Sequence, residues 1–273
     1  MPSSHTLVFM VIFSLGSLAA VLQNGLMVTL LGREWLRCGT LPAGDMIVAC
    51  LVTSRLCLHG ISILNNFVNF FDFCYKAKTL GILWDFINTL TLWLTAWLSV
   101  FYCAKISTFS HPVFLWLKWR ITRSVPRLLL SSLFFSGLSG ISSVVGNAVG
   151  IETWYFFWHS VVMWFTPLLL FLVPIVLLIF SLHRHVQQMR DCMSGPRDPS
   201  TQAHTMALKS LSFFFVFHVL HVLTLLISMM QLITVWNPWH WAFEMVLYAG
   251  LFLHSIVLMR SSPKLRKVLR MRF

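Results

Sequence analysis

Residues 161–183 read VVMWFTPLLLFLVPIVLLIFSLH, a run with no Asp, Glu, Lys or Arg that ends against Arg184. At 1.5 Å per residue such a helix reaches about 34 Å, enough to cross a hydrocarbon core of about 30 Å. Pro167 and Pro174 lie seven apart within it and predict local bends, which a membrane helix tolerates when neighbouring groups satisfy the freed carbonyls. Six more stretches of this kind, at 7–31, 46–68, 81–105, 126–149, 210–234 and 241–260, occupy most of the chain. Hydrophobic residues make up 58% and charged residues 10%, far from the roughly 25% charged of a soluble domain. The fold class that follows is an all-α membrane protein, a seven-transmembrane helix bundle forming one unit over 1–273.

Seventeen of the twenty Lys and Arg fall on one side of these spans. Arg33 and Arg37 follow span one, and Lys105, Lys118, Arg120, Arg123 and Arg127 lie between spans three and four. Arg184, Arg190, Arg197 and Lys209 lie between spans five and six, and the rest sit in the tail. The other side holds Lys76 and Lys78, while Arg55 lies within a span. The positive-inside rule places the C-terminus in the cytosol and the N-terminus outside. The net charge of +12 is largely this asymmetry, so it does not indicate nucleic-acid binding, which needs a basic solvated domain. Residues 1–6 lack a basic n-region, and the first apolar run is too long for a signal h-region, so it reads as a retained signal anchor and first helix. After Pro263, residues 261–273 pattern as a short helix on the cytosolic leaflet.

Of the six Cys, only Cys74 falls on the outer, oxidising side, so no disulfide is expected there within the chain. No Asn-x-Ser/Thr acceptor for glycosylation occurs. The eleven His suggest neither haem nor metal: His218 and His221 are three apart on one helix, whereas bis-His haem needs ligands on facing helices. No cofactor is expected. H-E-x-x-H, G-x-S-x-G and paired intramembrane acids are all missing, so no enzyme is indicated.

Polar residues inside the spans carry the functional information. Arg55 lies about 15 Å from the cytosolic end of span two, where a central Arg costs roughly 2.5–3.5 kcal/mol to insert. It must face the bundle and find acceptors. Asn24 lies at a similar depth in span one, and His254 with Ser255 somewhat shallower in span seven, so a network joining these three helices is expected. It can serve as structural glue, as a switch, or as both. A second group lies toward the outer face: Trp84, Asp85 and Asn88 open span three, Glu244 opens span seven, and Trp236, Trp239, His240 and Trp241 precede it. An interfacial aromatic belt accounts for the loop tryptophans. It does not account for Asn88, more than one turn inside the span. An apolar, aromatic cavity with a few polar anchors is what a small-molecule site between helices contains. Between the two polar layers an apolar gap is expected. Ser136, Gly137, Ser139 and Gly140 give span four a small-residue face for close packing.

Ordered motifs run along the spans. Span two has Leu51-Val52-Thr53-Ser54-Arg55; span three has Leu98-Ser99-Val100-Phe101-Tyr102, then Lys105-Ile106 and Phe109-Ser110. Span five ends Leu178-Ile179-Phe180-Ser181-Leu182, span six opens Ala207-Leu208-Lys209-Ser210-Leu211, and span seven has His254-Ser255-Ile256-Val257-Leu258 before Pro263-Lys264-Leu265. The ordered set resembles the type 2 family of vertebrate bitter taste receptors. The resemblance implies a G-protein-coupled receptor of the plasma membrane, binding bitter small-molecule agonists and signalling through gustducin-like G proteins. It places ligand contacts at Trp84, Asn88 and Glu244, with Asp85 beside them, and puts Tyr102 where many other receptors have the Arg of a D-R-Y triplet. The cytosolic ends of helices three, five and six, at Lys105, Ser181, Leu182 and Lys209, would meet the G protein. Asn24, Arg55, Tyr102, His254 and Ser255 form the expected switch layer.

One departure stands out. Only residues 150–160 separate spans four and five, whereas the family has a longer second outer loop, usually with a glycosylation sequon. The shortening implies a receptor impaired in ligand enclosure or surface delivery. Two other classes share the architecture: another small-ligand chemosensory receptor of vomeronasal type, and a seven-span transporter or channel, which needs a polar path across the membrane.

Overall fold

The computed structural model describes residues 4–71, 74–107, 112–149, 158–159, 161–192, 199–229 and 239–261. The helices are α1 (Ser4–Cys38), α2 (Ala43–Phe70), α3 (Cys74–Ile106), α4 (Pro112–Val149), α5 (Thr166–Cys192), α6 (Pro199–Met229) and α7 (His240–Ser261). All seven contain a segment long and apolar enough to cross a membrane, which makes the chain a seven-helix, multi-pass membrane protein. Each helix outruns the apolar stretch read from sequence at one end or both. The largest difference is α4, expected from residue 126 but starting at Pro112, with Pro126 inside it. Hydropathy drops at the Lys118–Arg127 segment because of its charges, yet nothing there breaks the helix except one missing N–H at Pro126.

A π-helical turn, Val161–Phe165, precedes α5. Pro167 follows at once and has no N–H to offer the carbonyl four residues back, so the ladder is irregular there. Pro174 lies inside α5. At the end of α1, Gly39 adopts φ +70 and donates its N–H to the Trp35 carbonyl at 2.8 Å, a left-handed helix stop that favours glycine.

The helices close a ring in which α1 packs on α2, α2 on α3, α3 on α5, α5 on α6, α6 on α7, and α7 back on α1. The α4 helix lies outside that ring against α3 and α2. In the spanning window of α3, 61% is buried, against 22% for α1 and α4, so α3 is the central helix and α4 offers most of its surface to lipid. Upper denotes here the half holding the start of α1; lower denotes the half with the basic clusters. One apolar core, with Phe13, Leu92, Trp164, Phe171, Phe214, Trp241 and Tyr248, joins α1–α3 to α5–α7. A second, with Met27, Ile47, Leu51, Leu98, Phe101, Ile121 and Val125, fills the lower half between α1, α2, α3 and α4.

The serines of α4 make its close packing specific. Ser132, Ser136 and Ser139 are fully buried, and Gly140 lies against Phe86 of α3, where an added Cβ would stand 3.8 Å from the ring. Most of 150–160, residues 230–238 and the tail after Ser261 lie outside the described residues, and with them the short outer loop, Trp236 and the tail helix read from sequence.

Candidate functional site

The α2 helix carries the polar groups that organise the bundle. Arg55, His59, Ser62 and Asn66 follow one another at four, three and four residues, so all lie on one face, and all four are buried. That face meets α7. At its upper end the Asn66 amide donates to Glu244 Oε2 at 3.0 Å, while its Oδ1 accepts from His240 Nε2 at 2.8 Å. In the middle the His59 ring lies 5.3 Å from the Tyr248 ring. At the lower end Arg55 donates from Nη2 to His254 Nδ1 at 2.6 Å and from Nη1 to Ser255 Oγ at 3.1 Å. A guanidinium can only donate, so His254 accepts at Nδ1 and carries its proton on Nε2. The apolar gap expected between the two polar layers is therefore filled by His59 and Ser62, because four polar residues at heptad-like spacing stack along one helix face.

The members of the expected lower network separate. Arg55 bonds to α7, but Asn24 turns its amide onto its own helix, donating to the Ala20 carbonyl at 2.8 Å. Its Oδ1 and the Arg55 Nε have no partner among the described residues. Tyr102 packs beside Phe101 in the lower apolar core. The expected Asn24 link is replaced by one that sequence spacing missed. The His254 ring stacks on Phe214 of α6 with centroids 3.4 Å apart and planes at 17°, and Phe214 meets Phe171 of α5 edge-on at 5.1 Å. Arg55 thus connects through one imidazole to three further helices.

In the upper half, Trp84 donates its indole N–H to the Tyr248 hydroxyl at 2.6 Å, and its ring meets Trp164 edge-on at 6.2 Å. One turn further in, Asn88 is fully buried, and neither Oδ1 nor Nδ2 has a partner among the described residues. Asp85 turns the other way, accepting from the Ser139 and Ser143 hydroxyls of α4 at 2.7 Å each. The four residues read as one ligand group therefore divide. Trp84 reaches α7 at Tyr248, Glu244 of α7 is held by Asn66 of α2, Asn88 has no partner among the described residues, and Asp85 fastens α3 to α4. An offset of 100° from Trp84 is enough to carry Asp85 round the helix.

The whole chain, residues 1–273, matches the family model for taste receptor proteins (TAS2R). It is 56% identical to "Taste receptor type 2 member 143" of Rattus norvegicus, with all of both chains covered. It is 50% identical to "Taste receptor type 2 member 134" of Rattus norvegicus, covering 99% of this chain and 87% of the relative. "Taste receptor type 2 member 62" of Pan paniscus is also 50% identical, over 99% of this chain and 93% of its own. The chain belongs to the taste receptor type 2 family. The resemblance read from the helix motifs is a family relationship over the full length, and it takes the place of the vomeronasal-like and transporter alternatives.

Other histidines of this taste receptor lie at contacts between helices. His221 donates from Nδ1 to the Leu247 carbonyl at 2.9 Å, tying α6 to α7, and the His218 ring lies 4.2 Å from Phe171. Among the described residues no group of three or more His, Cys, Asp or Glu could hold a metal ion. Just above α5, the His159 Nε2 lies 3.3 Å from Ser139 Oγ, beside the Asp85 cluster. Burial lowers the His159 imidazole from its ordinary value, and the nearby Asp85 carboxylate opposes that shift. At the lower end, Lys105 and Lys209 are exposed, whereas Ser181 and Leu182 are buried in the bundle. The residues that sequence spacing missed are Ser62, Asn66, Tyr248, Phe214 and Ser143, together with the bond that Ser139 of the packing face makes to Asp85. The polar stripe of α2 was a readable signal for the first two. The others depend on which helices become neighbours.

Proposed function

We propose that this chain is a plasma-membrane receptor that takes a bitter small molecule into the upper half of the bundle, among Trp84, Asn88 and Glu244, and activates a gustducin-type heterotrimeric G protein at its lower, cytosolic face. The charge asymmetry of the sequence supports that orientation, with the N-terminus outside and one unit over 1–273. The observation that carries the ligand site is Asn88. A buried primary amide without partners costs about 1–3 kcal/mol per unsatisfied group, a cost that a ligand with matching donors and acceptors removes. Trp84, one turn above it on the same helix face, meets Trp164 edge-on and supplies aromatic surface.

Coupling to the lower face runs along α7. Glu244, Tyr248 and Ser255 share one face of that helix, so a ligand that alters the Trp84–Tyr248 contact biases the position of His254 and its stack on Phe214. Differential binding of about 1–3 kcal/mol suffices for ordinary coupling. Lys105 and Lys209, exposed at the lower ends of α3 and α6, then meet the G protein, and Ser181 and Leu182 of α5 join them only where an active arrangement uncovers them. The short stretch between spans four and five, residues 150–160, is read as an outer loop that limits surface delivery.

The test is calcium release in cells carrying this chain and a gustducin-type chimera, challenged with a panel of bitter compounds, with surface staining alongside. Asn88→Ala is expected to lower agonist potency at least tenfold while leaving surface level and thermal stability unchanged or improved, since the amide makes no bond among the described residues. Asp85→Asn should do the reverse, loosening α3 from α4 and lowering the surface level first. Loss of surface protein in Asn88→Ala, in step with its loss of response, would make Asn88 a folding residue and overturn the assignment.

A further inference from the structure

The α4 helix is 38 residues, about 57 Å, nearly twice what the hydrocarbon core requires. Through the span it exposes Leu130, Phe134, Leu138 and Ile141, a lipid-facing stripe at alternating helical spacing, while Ser132, Ser136 and Ser139 face the bundle. Stepping back from Leu130 by the same intervals reaches Arg127, Arg123, Arg120 and Trp116, all exposed. The apolar stripe thus passes without rotation into an arginine stripe. Arg120 is stacked over Trp116 and Arg123 over Trp119, each guanidinium carbon 5.1 Å from the indole centroid. No acidic residue occurs anywhere in α4.

From these features we infer that Arg120, Arg123 and Arg127 form a binding surface for polyanionic phospholipid headgroups, those of phosphoinositides with more than one phosphate. Stacking on an indole holds each guanidinium against the helix with its in-plane N–H groups outward, the arrangement that forks onto phosphate oxygens. Exposed indoles set the depth, because tryptophan settles at the headgroup level. Three guanidiniums within about 10 Å of helix axis exceed what one phosphodiester neutralises and match a headgroup with clustered phosphates. Continuity with the lipid-facing side of α4 selects lipid over a protein partner. A G protein docking at the lower mouth of the ring meets the inner ends of α3, α5 and α6, whereas this stripe faces outward from a helix that lies outside the ring.

The inference goes beyond the ligand reading and is testable without an agonist. Purified full-length protein in detergent micelles is titrated with fluorescent phosphatidylinositol 4,5-bisphosphate, with phosphatidylserine at equal total charge as the comparison. Each Arg→Gln change at 120, 123 or 127 should weaken binding roughly fivefold, and the three together up to about 100-fold, with a shallower salt dependence. Arg33→Gln with Arg37→Gln, at the lower end of α1, should leave it unchanged. Replacing the three arginines by lysine keeps the charge but not the fork or the stack, so its affinity should fall between wild type and the glutamine variant, and that partial retention shows that loss in the glutamine variant is not misfolding. Trp116→Leu with Trp119→Leu should cost severalfold. Wild-type affinity in the triple glutamine variant, or equal binding of phosphatidylserine, would overturn the assignment. So would a triple variant that keeps its lipid affinity but loses G-protein activation, which would make the stripe a protein-docking face.

Discussion

Arg55 makes an asymmetric prediction about which partner the bundle can do without. Its guanidinium is fully buried and bonds to His254 Nδ1 and Ser255 Oγ, with no acidic partner in either bond. Changing His254 to Phe preserves the stack on Phe214 but takes away the shorter bond, leaving a buried cation with one neutral acceptor. Removing the acceptor of a hydrogen bond made by a buried charge costs about 1.5–3 kcal/mol. Changing Arg55 to Met removes the charge and the roughly 2.5–3.5 kcal/mol of its insertion cost. It also orphans two acceptors at about 1–3 kcal/mol each, so its net effect is small, about 0–2 kcal/mol. The double variant leaves only the Ser255 hydroxyl, which can bond back to its own helix. It should be close to wild type, and the cycle should show non-additivity of about 3 kcal/mol. Reversible SDS unfolding of the purified protein in bicelles, followed by circular dichroism, measures all four corners. Two independent single effects that add within about 0.5 kcal/mol, or an Arg55→Met variant less stable than His254→Phe, would refute the claim that the pair is one electrostatic unit.

The glycines and the histidine above α5 give sharper local tests. A Cβ on Gly250 would meet the Phe217 carbonyl oxygen at 3.2 Å and its Cβ at 3.3 Å, so Gly250→Ala should push α6 from α7 and destabilise by about 1–3 kcal/mol. Gly60 has no atom within 4 Å of that position, and Gly60→Ala should stabilise by about 0.5–1 kcal/mol; the same unfolding measurement reads both, and equal effects would count against the close approach. His159 is held neutral by burial, so the folded chain binds fewer protons than the unfolded chain as pH falls through about 6.5. Its contribution is complete above that pH and is lost below it. His159→Gln should flatten the acid side of the thermal-stability profile, and an unchanged acid limb would show that the imidazole is solvated.

The spans were legible because hydropathy over about 20 residues is a statement about solvent, and the bilayer leaves the backbone no alternative to helices here. Helix ends were not legible by the same signal. The Lys118–Arg127 segment is too charged to score as membrane and still helical, since leaving the hydrocarbon core does not terminate a helix. In the candidate site, depth was legible and azimuth was not. Asn88 and Asp85 are three residues apart and both buried, yet one has no partner among the described residues and the other binds two serines of α4. Nothing in the spacing of α3 says that α4 lies on that side. The polar stripe Arg55-His59-Ser62-Asn66 was present in the sequence and needs only a period of 3.6 to be seen.

That stripe also bears on why a buried arginine persists in a helix whose neighbours are lipid and apolar side chains. In the membrane, helix association gains little from apolar burial, so polar contacts and close packing set which faces meet. Along the α2–α7 seam the partners are matched by type at each level: a cation with a neutral imidazole below, rings in the middle, and an amide with a carboxylate above. A rotation of α7 by one residue would break the bonds at both ends together, so the seam fixes one register between the helices. The same matching leaves few ways to shift α7 without a compensating contact, and the stack of His254 on Phe214 extends that constraint to α6. A helix pair with few discrete registers is the kind of element that a modest ligand bias can switch rather than merely deform.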